Sequence, residues 1–247
     1  MLSHEQRVDA ARGAVDYITG RTEDELRRPV PNCPGWTVYN AAVHIGRVGM
    51  AWEEMITSPP EDSESRERGY ARGADRPPGT PPAELASWMN AAIDQLVGDV
   101  DRRCYFSMTG GEGTVGLWAW HAASELGVHR LDVEEALGHE RSLTVAQALD
   151  AATYTSGFFL PAMKRATDRD PGALTARLVD AGGATVGETT IDSTRSAGVT
   201  VAGPAVDVLL ALWGRPHADV EVTAGDPEVW DSWRALPGEA FQFGTWD

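Results

Sequence analysis

The sequence predicts an α + (α+β) chain, a helical bundle over residues 1–168 followed by a small α+β domain over 169–247. Three observations lead there. Up to about residue 168, apolar residues recur every three or four positions, the period of helices that bury one face. From about residue 171 the pattern turns to short alternating runs between Gly-rich turns, the period of strands. At 247 residues the chain is long enough for one large core or two modest ones.

The first helix starts at Ser3, which has capping-box spacing with Gln6; Val8, Ala11, Val15 and Ile18 line its inner face, and Gly20 stops it. A breaker-rich loop follows, with Pro29, Pro31, Cys33, Pro34 and Gly35. Thr37 is placed to cap a second helix whose stripe is Ala41, Ile45, Val48, Trp52 and Met55, with His44 bordering it. Residues 58–82 carry Pro, Gly and charge without apolar periodicity, and read either as a solvated linker or as a lid. A third helix is expected over 82–100, a turn at TGGEGT (109–114), and a fourth helix from Val115 to Leu137 stopped by Gly138. A fifth starts at Thr144, again with capping-box spacing to Gln147, and should bend at Pro161. Helices one to four can form a four-helix bundle, with the fifth leading out of it.

In the second part, LTARLVD (174–180), VGETTID (186–192), GVTVAG (198–203) and VEVTAG (220–225) read as strands. Pro204 to Trp213 reads as a helix, and Asp226 with Pro227 opens another. The expectation is an antiparallel sheet with helices on one face.

Composition narrows the function. A net charge of -16 and a pI of about 4.7 set up a field that repels phosphate backbones, which argues against nucleic-acid binding. No run of 18 apolar residues and no basic-then-apolar leader is present, so a cytoplasmic protein with no membrane partner is expected. Two cysteines, Cys33 and Cys104, are too few for a disulfide scaffold and lack CxxC spacing. Cys33 has no basic neighbour in sequence to activate it and reads as a packed thiol; Trp36 reads as an apolar residue packing at the start of the second helix.

Chemistry concentrates in the fourth helix, WAWHAASELGVHRLDVEEALG. His121, Glu125 and His129 follow one another at four-residue steps, so they share one face, with Asp132 at its edge. Glu125 and His129 could chelate one metal if His44 of the second helix supplied a third ligand. That His2Glu set suits zinc with an open position, while nickel or iron remain open. A salt-bridged Glu–His pair is the plainer alternative, and His121 reads equally as a fourth ligand or as a packing residue.

Three stretches carry a resemblance. VPNCPGWTVYNAAVHIGRV (30–48), ELGVHRLDVEEALG (125–138) and GVTVAGPAVDVLLALWGR (198–215) resemble, in order, signatures of the mycothiol-dependent maleylpyruvate isomerase family, within the wider DinB-like metal-binding bundles. The resemblance implies a DinB-like bundle with a small C-terminal domain, zinc held by His44, Glu125 and His129, and mycothiol as thiol cosubstrate. It also implies an active-site arginine, which by motif position is Arg215; the alternative is a surface arginine closing a helix. Metal-stabilised thiolate would add to a conjugated cis double bond of a small unsaturated carboxylate, and rotation and thiolate expulsion would give the trans isomer. Arg215 would hold a carboxylate or an enolate, and His121 or Asp132 would shuttle protons or orient a ligand. Isomerase and thiol S-transferase stay equally open, as do a monomer and a homodimer. The readings from other classes are a non-catalytic metal- or ligand-binding regulatory module and a metal-dependent hydrolase.

Overall fold

The structure, a computed structural model, describes residues 1–215 and 219–240. It divides into two compact units, one holding Leu2–Ser142 and the other beginning at Leu143.

The first unit contains α1 (His4–Thr19), α2 (Glu23–Leu26), α3 (Val38–Thr57), α4 (Ser65–Ala74), α5 (Pro82–Asp94), a hairpin of β1 (Arg103–Phe106) and β2 (Gly111–Thr114), and α6 (Val115–Leu137). α1, α3, α5 and α6 pack on one another as the expected bundle. Their starts follow from local chemistry: Ser3 with Gln6 and Thr37 with Asn40 form complete capping boxes, each satisfying two end-of-helix N–H groups. Gly138, at φ 71°, ends α6 in the left-handed conformation that glycine adopts without steric cost.

Residues 58–82, expected to be a linker or a lid, contain α4, which packs along α3. The contact uses glycine rather than an apolar stripe. A Cβ on Gly69 would lie 2.6 Å from Ala51 Cα, and one on Gly73 would lie 3.1 Å from the Arg47 carbonyl oxygen. Charge fixes the flank: Arg68 reaches Glu54 (2.9 Å) and Asp62 (2.6 Å), and Arg72 reaches Glu53 (3.2 Å). The third long helix ends at Asp94, short of the expected Val100, and Val97 and Val100 are exposed. The turn expected at 109–114 includes β2, whose Gly113 lets the Phe106 side chain cross it; a Cβ there would meet Phe106 Cβ at 2.2 Å.

The second unit contains α7 (Val145–Tyr154), a π-helical turn (Thr155–Phe159), α8 (Leu160–Thr167), β3 (Ala173–Val179), β4 (Thr185–Ile191), β5 (Gly198–Pro204), α9 (Ala205–Leu212), β6 (Glu221–Gly225) and α10 (Pro227–Ala240). The bend expected at Pro161 takes the form of the π turn just before it: the Leu160 N–H donates to Thr155 O, five residues back. The division at Ser142/Leu143 differs from the boundary expected at 168/169. α7 packs on α9 and α8 on α10, Trp213 Nε1 donates to Thr155 Oγ1 (2.8 Å), and the Phe159 and Trp213 rings stack at 4.0 Å.

The sheet order is β4-β3-β5-β6. It is mixed, not antiparallel as expected, because β3 and β5 run parallel while the outer pairs are antiparallel. The reason is the link at 192–197. β4 ends beside Leu174, and the short link carries the chain past the start of β3 to its other edge, where Gly198 pairs with Ala173. Leu174, Ala176 and Leu178 of β3 and Val199 and Val201 of β5 are buried, and α9 and α10 pack against these two strands. Among the described residues no helix is long and apolar enough to cross a membrane.

Candidate metal centre

α6 is buried nearly all round, so its polar side chains at 121, 125, 129 and 132 need partners inside the protein. They find them in one chain of contacts. His121 Nε2 lies 3.0 Å from Glu125 Oε2, and His44 Nε2 of α3 lies 3.4 Å from Oε1 of the same carboxylate. Burial alone pushes the Glu125 carboxyl up. The charge and hydrogen bond of His121, then those of His44, outweigh burial and hold the group well below the usual carboxylate range, so it is ionised.

His129 is fixed from behind. Its Nδ1 lies 3.2 Å from Oδ2 of the fully buried Asp132, which leaves Nε2 as the nitrogen available for coordination. Asp132 is itself held by the loop before α3: Cys33 Sγ–H donates to Oδ2 (3.7 Å) and Asn32 Nδ2 to Oδ1 (3.3 Å). That loop is closed by Val30 N–H to Trp36 O (2.9 Å) and Trp36 N–H to Cys33 O (2.9 Å), with Gly35 at φ 86°. It lays Trp36 over both histidines, with ring centroids 5.2 Å from His44 and 6.1 Å from His129.

Among the described residues, His44, Glu125 and His129 offer one ligand atom each, and these atoms all lie within 4.8 Å of one another. Two nitrogens and an ionised carboxylate from two packed helices are a donor set that fits a divalent cation, with further positions left for another ligand. His121 is outside this group. It is enclosed by Trp52, Trp118 and Phe106, with centroids at 4.8, 5.4 and 6.1 Å, where it occupies the second oxygen of Glu125. Asp132 touches His129 and the loop. Arg215 belongs to the second unit, where it is buried and its Nη1 donates to Trp213 O (3.1 Å).

Several contributors to the centre leave no periodic mark in the sequence. Cys33 and Trp36, which read from sequence as packing residues, contact Asp132 and the two histidines, and Asn32 joins them from the same loop. Tyr70 of α4 also feels the centre. Although 37% of the residue is exposed, its phenol is pushed up first by desolvation and then by the Glu125 charge, with Arg66 offsetting. The usable signal was the position of Asn32 and Cys33 in the loop leading into the His44 helix.

Comparison with known proteins follows the same lines. Residues 8–134 match the family model described as the mycothiol maleylpyruvate isomerase N-terminal domain. Two solved structures share the fold. A crystal structure of the mycothiol-dependent maleylpyruvate isomerase aligns with a TM-score of 0.56 at 15% identity, covering 91% of this chain and 95% of that one. A histidine-to-alanine mutant of that isomerase aligns with a TM-score of 0.58 at 14% identity over the same shares. No curated protein matches the chain.

Proposed function

We propose, from the premise that this chain belongs to the family of the mycothiol maleylpyruvate isomerase N-terminal domain, that it is a metal- and thiol-dependent enzyme. Its substrate class is a small, unsaturated, carboxylate-bearing electrophile, which it isomerises from cis to trans or conjugates to the thiol. The observation that carries the reading is the convergence of His44, Glu125 and His129 within the family-matched segment.

These three residues would hold the cation, and the nitrogen-rich donor set with one carboxylate favours zinc. A cation bound there supplies a positive charge that stabilises a thiolate at neutral pH. The remaining residues set up the site. His121 keeps one oxygen of Glu125 occupied, so the other is presented on the His44 side. Asp132, held by Cys33 and Asn32, fixes the His129 tautomer and ring orientation. Trp36 covers the two imidazoles and limits water around them. For isomerisation, thiolate sulfur bonds to one alkene carbon and the π pair moves to the conjugated carbonyl. Rotation follows, the pair returns, and the C–S bond breaks to release the same thiolate. For transfer, the enolate is protonated and the adduct leaves. Arg215, implied by the family resemblance as a carboxylate residue, is tested in the same assay through Arg215→Gln.

The experiment is turnover of maleylpyruvate by the metal-loaded full-length protein, with and without mycothiol, followed by loss of the cis substrate. Thiol-dependent loss with trans product supports the isomerase, and thiol-dependent loss with a stable adduct supports the transferase. Turnover that ignores the thiol and gives cleaved product makes the protein a hydrolase. Metal binding without turnover of this or other unsaturated acids leaves a binding module.

A further inference from the structure

The segment joining α4 to α5 holds an arginine whose burial the metal centre does not explain. Arg76 is only 8% exposed. Burying part of a guanidinium is unfavourable unless a counter-ion and hydrogen bonds offset it. Here Nη1 donates to the Pro77 carbonyl oxygen (2.8 Å), while Nε is buried and meets no acceptor. No carboxylate among the described residues pairs with Arg76, although the chain has 37 acidic residues. Its neighbours on α4 behave otherwise: Arg68 and Arg72 are each paired with two acidic residues.

A second cation stands beside it. Arg47 of α3 donates from Nε to Gly73 O (2.9 Å) and from Nη2 to Ala74 O (3.4 Å), which ties it to the end of α4 just before Arg76. Burial first and the Arg76 charge second hold Arg47 below its ordinary value, so the two guanidiniums act on each other. Arg47 is close to the candidate centre along α3. Arg47 lies three residues from His44, roughly one turn or ~5 Å along the α3 axis. The glycine contacts of α4 determine this placement, since Gly73 packs on Arg47 and Gly69 on Ala51.

We infer that Arg76, supported by Arg47, is an anion-recognition position that takes a carboxylate of the substrate; of the two, Arg47 stands one helical turn from the proposed metal ligand His44. Planar, two-pronged carboxylates match the guanidinium fork, and a bound carboxylate would satisfy a charge that no carboxylate among the described residues matches. Assigning the anion as a substrate carboxylate rests on the reaction proposed above; the anion site itself does not.

The test uses the full-length protein and maleate as probe, titrated by calorimetry into the metal-loaded and the chelator-stripped forms. Wild type should bind maleate in both. Arg76→Met should weaken binding at least tenfold while keeping the wild-type metal content, and Arg76→Lys should fall between, because it keeps the charge but not the fork. A second readout separates binding from a structural role. Without anion, Arg76→Met should leave Tm unchanged or raise it, because it removes a buried Nε–H that meets no acceptor and a charge that no carboxylate among the described residues offsets. A residue that merely capped Pro77 would instead lower Tm when lost. Unchanged maleate binding in a folded Arg76→Met protein, or a lowered Tm with binding intact, would overturn the inference. Inorganic phosphate binding as tightly as maleate would overturn the carboxylate assignment. Arg76-dependent maleate binding in a protein that never holds metal would sink the proposed reaction and leave the anion site standing. Full thiol-dependent turnover with KM unaltered in Arg76→Met would do the reverse.

Discussion

Each donor of the proposed metal centre is set by a partner that the local sequence only half discloses. The step of four from His121 to Glu125 to His129 is visible in the sequence because helix geometry turns spacing into a shared face. The partners were harder to see. Cys33 and Asn32 reach Asp132 across about 100 residues of sequence, and such contacts leave no periodic trace. Asp132→Asn keeps the shape but removes the charge that fixes the His129 tautomer. The metal dissociation constant should rise about 10–100-fold, measured by competition with a chromophoric chelator; an unchanged constant would show that Asp132 does not orient His129. The two cysteines should also differ. Cys104 is fully buried, and burial pushes its thiol up to about 11, with Arg102 offsetting a little. A folded-state value above the unfolded 9.0 contributes stability that is complete below pH 9 and is lost as pH rises through 11. Cys104→Ala should therefore flatten that part of the alkaline stability limb in denaturant titrations. In the native wild type, a thiol reagent should label Cys33 well before Cys104.

At the scale of elements, capped helices were the most legible. Ser3, Thr37 and Thr144 each begin a helix where the sequence placed it, because a capping box is a local device. α4 was not legible. Its contact with α3 rests on Gly69, Gly73 and ion pairs, none of which produces an apolar stripe, so 58–82 read as loop. The β1–β2 hairpin was missed for a similar reason: Gly113 looks like a turn residue but serves as the groove for Phe106. Gly69→Ala would drive a methyl into the Ala51 backbone. It should cost about 1–3 kcal/mol of stability and expose α4 to limited proteolysis; wild-type stability and cleavage would contradict the glycine-mediated contact.

For the whole molecule, the change of period near residue 170 marked where strands begin but not where the second compact unit begins. α7 and α8 carry helical periodicity like the bundle, yet they bury it against α9 and α10, and pattern alone cannot say which partner a helical face chooses. The parallel pairing of β3 with β5 was invisible for the same reason, since alternation tells which face is buried and not which edge is next. The account as a whole depends on one fact, that His44, Glu125 and His129 share a metal ion. The direct test is elemental analysis of untagged full-length protein, for wild type, Glu125→Ala and His44→Ala, each with circular dichroism as a check on folding. The account predicts about one divalent ion per wild-type chain, principally zinc, and loss of that ion in both folded variants. A wild-type protein that holds no metal and cannot be reloaded, or variants that keep the full amount, would contradict it.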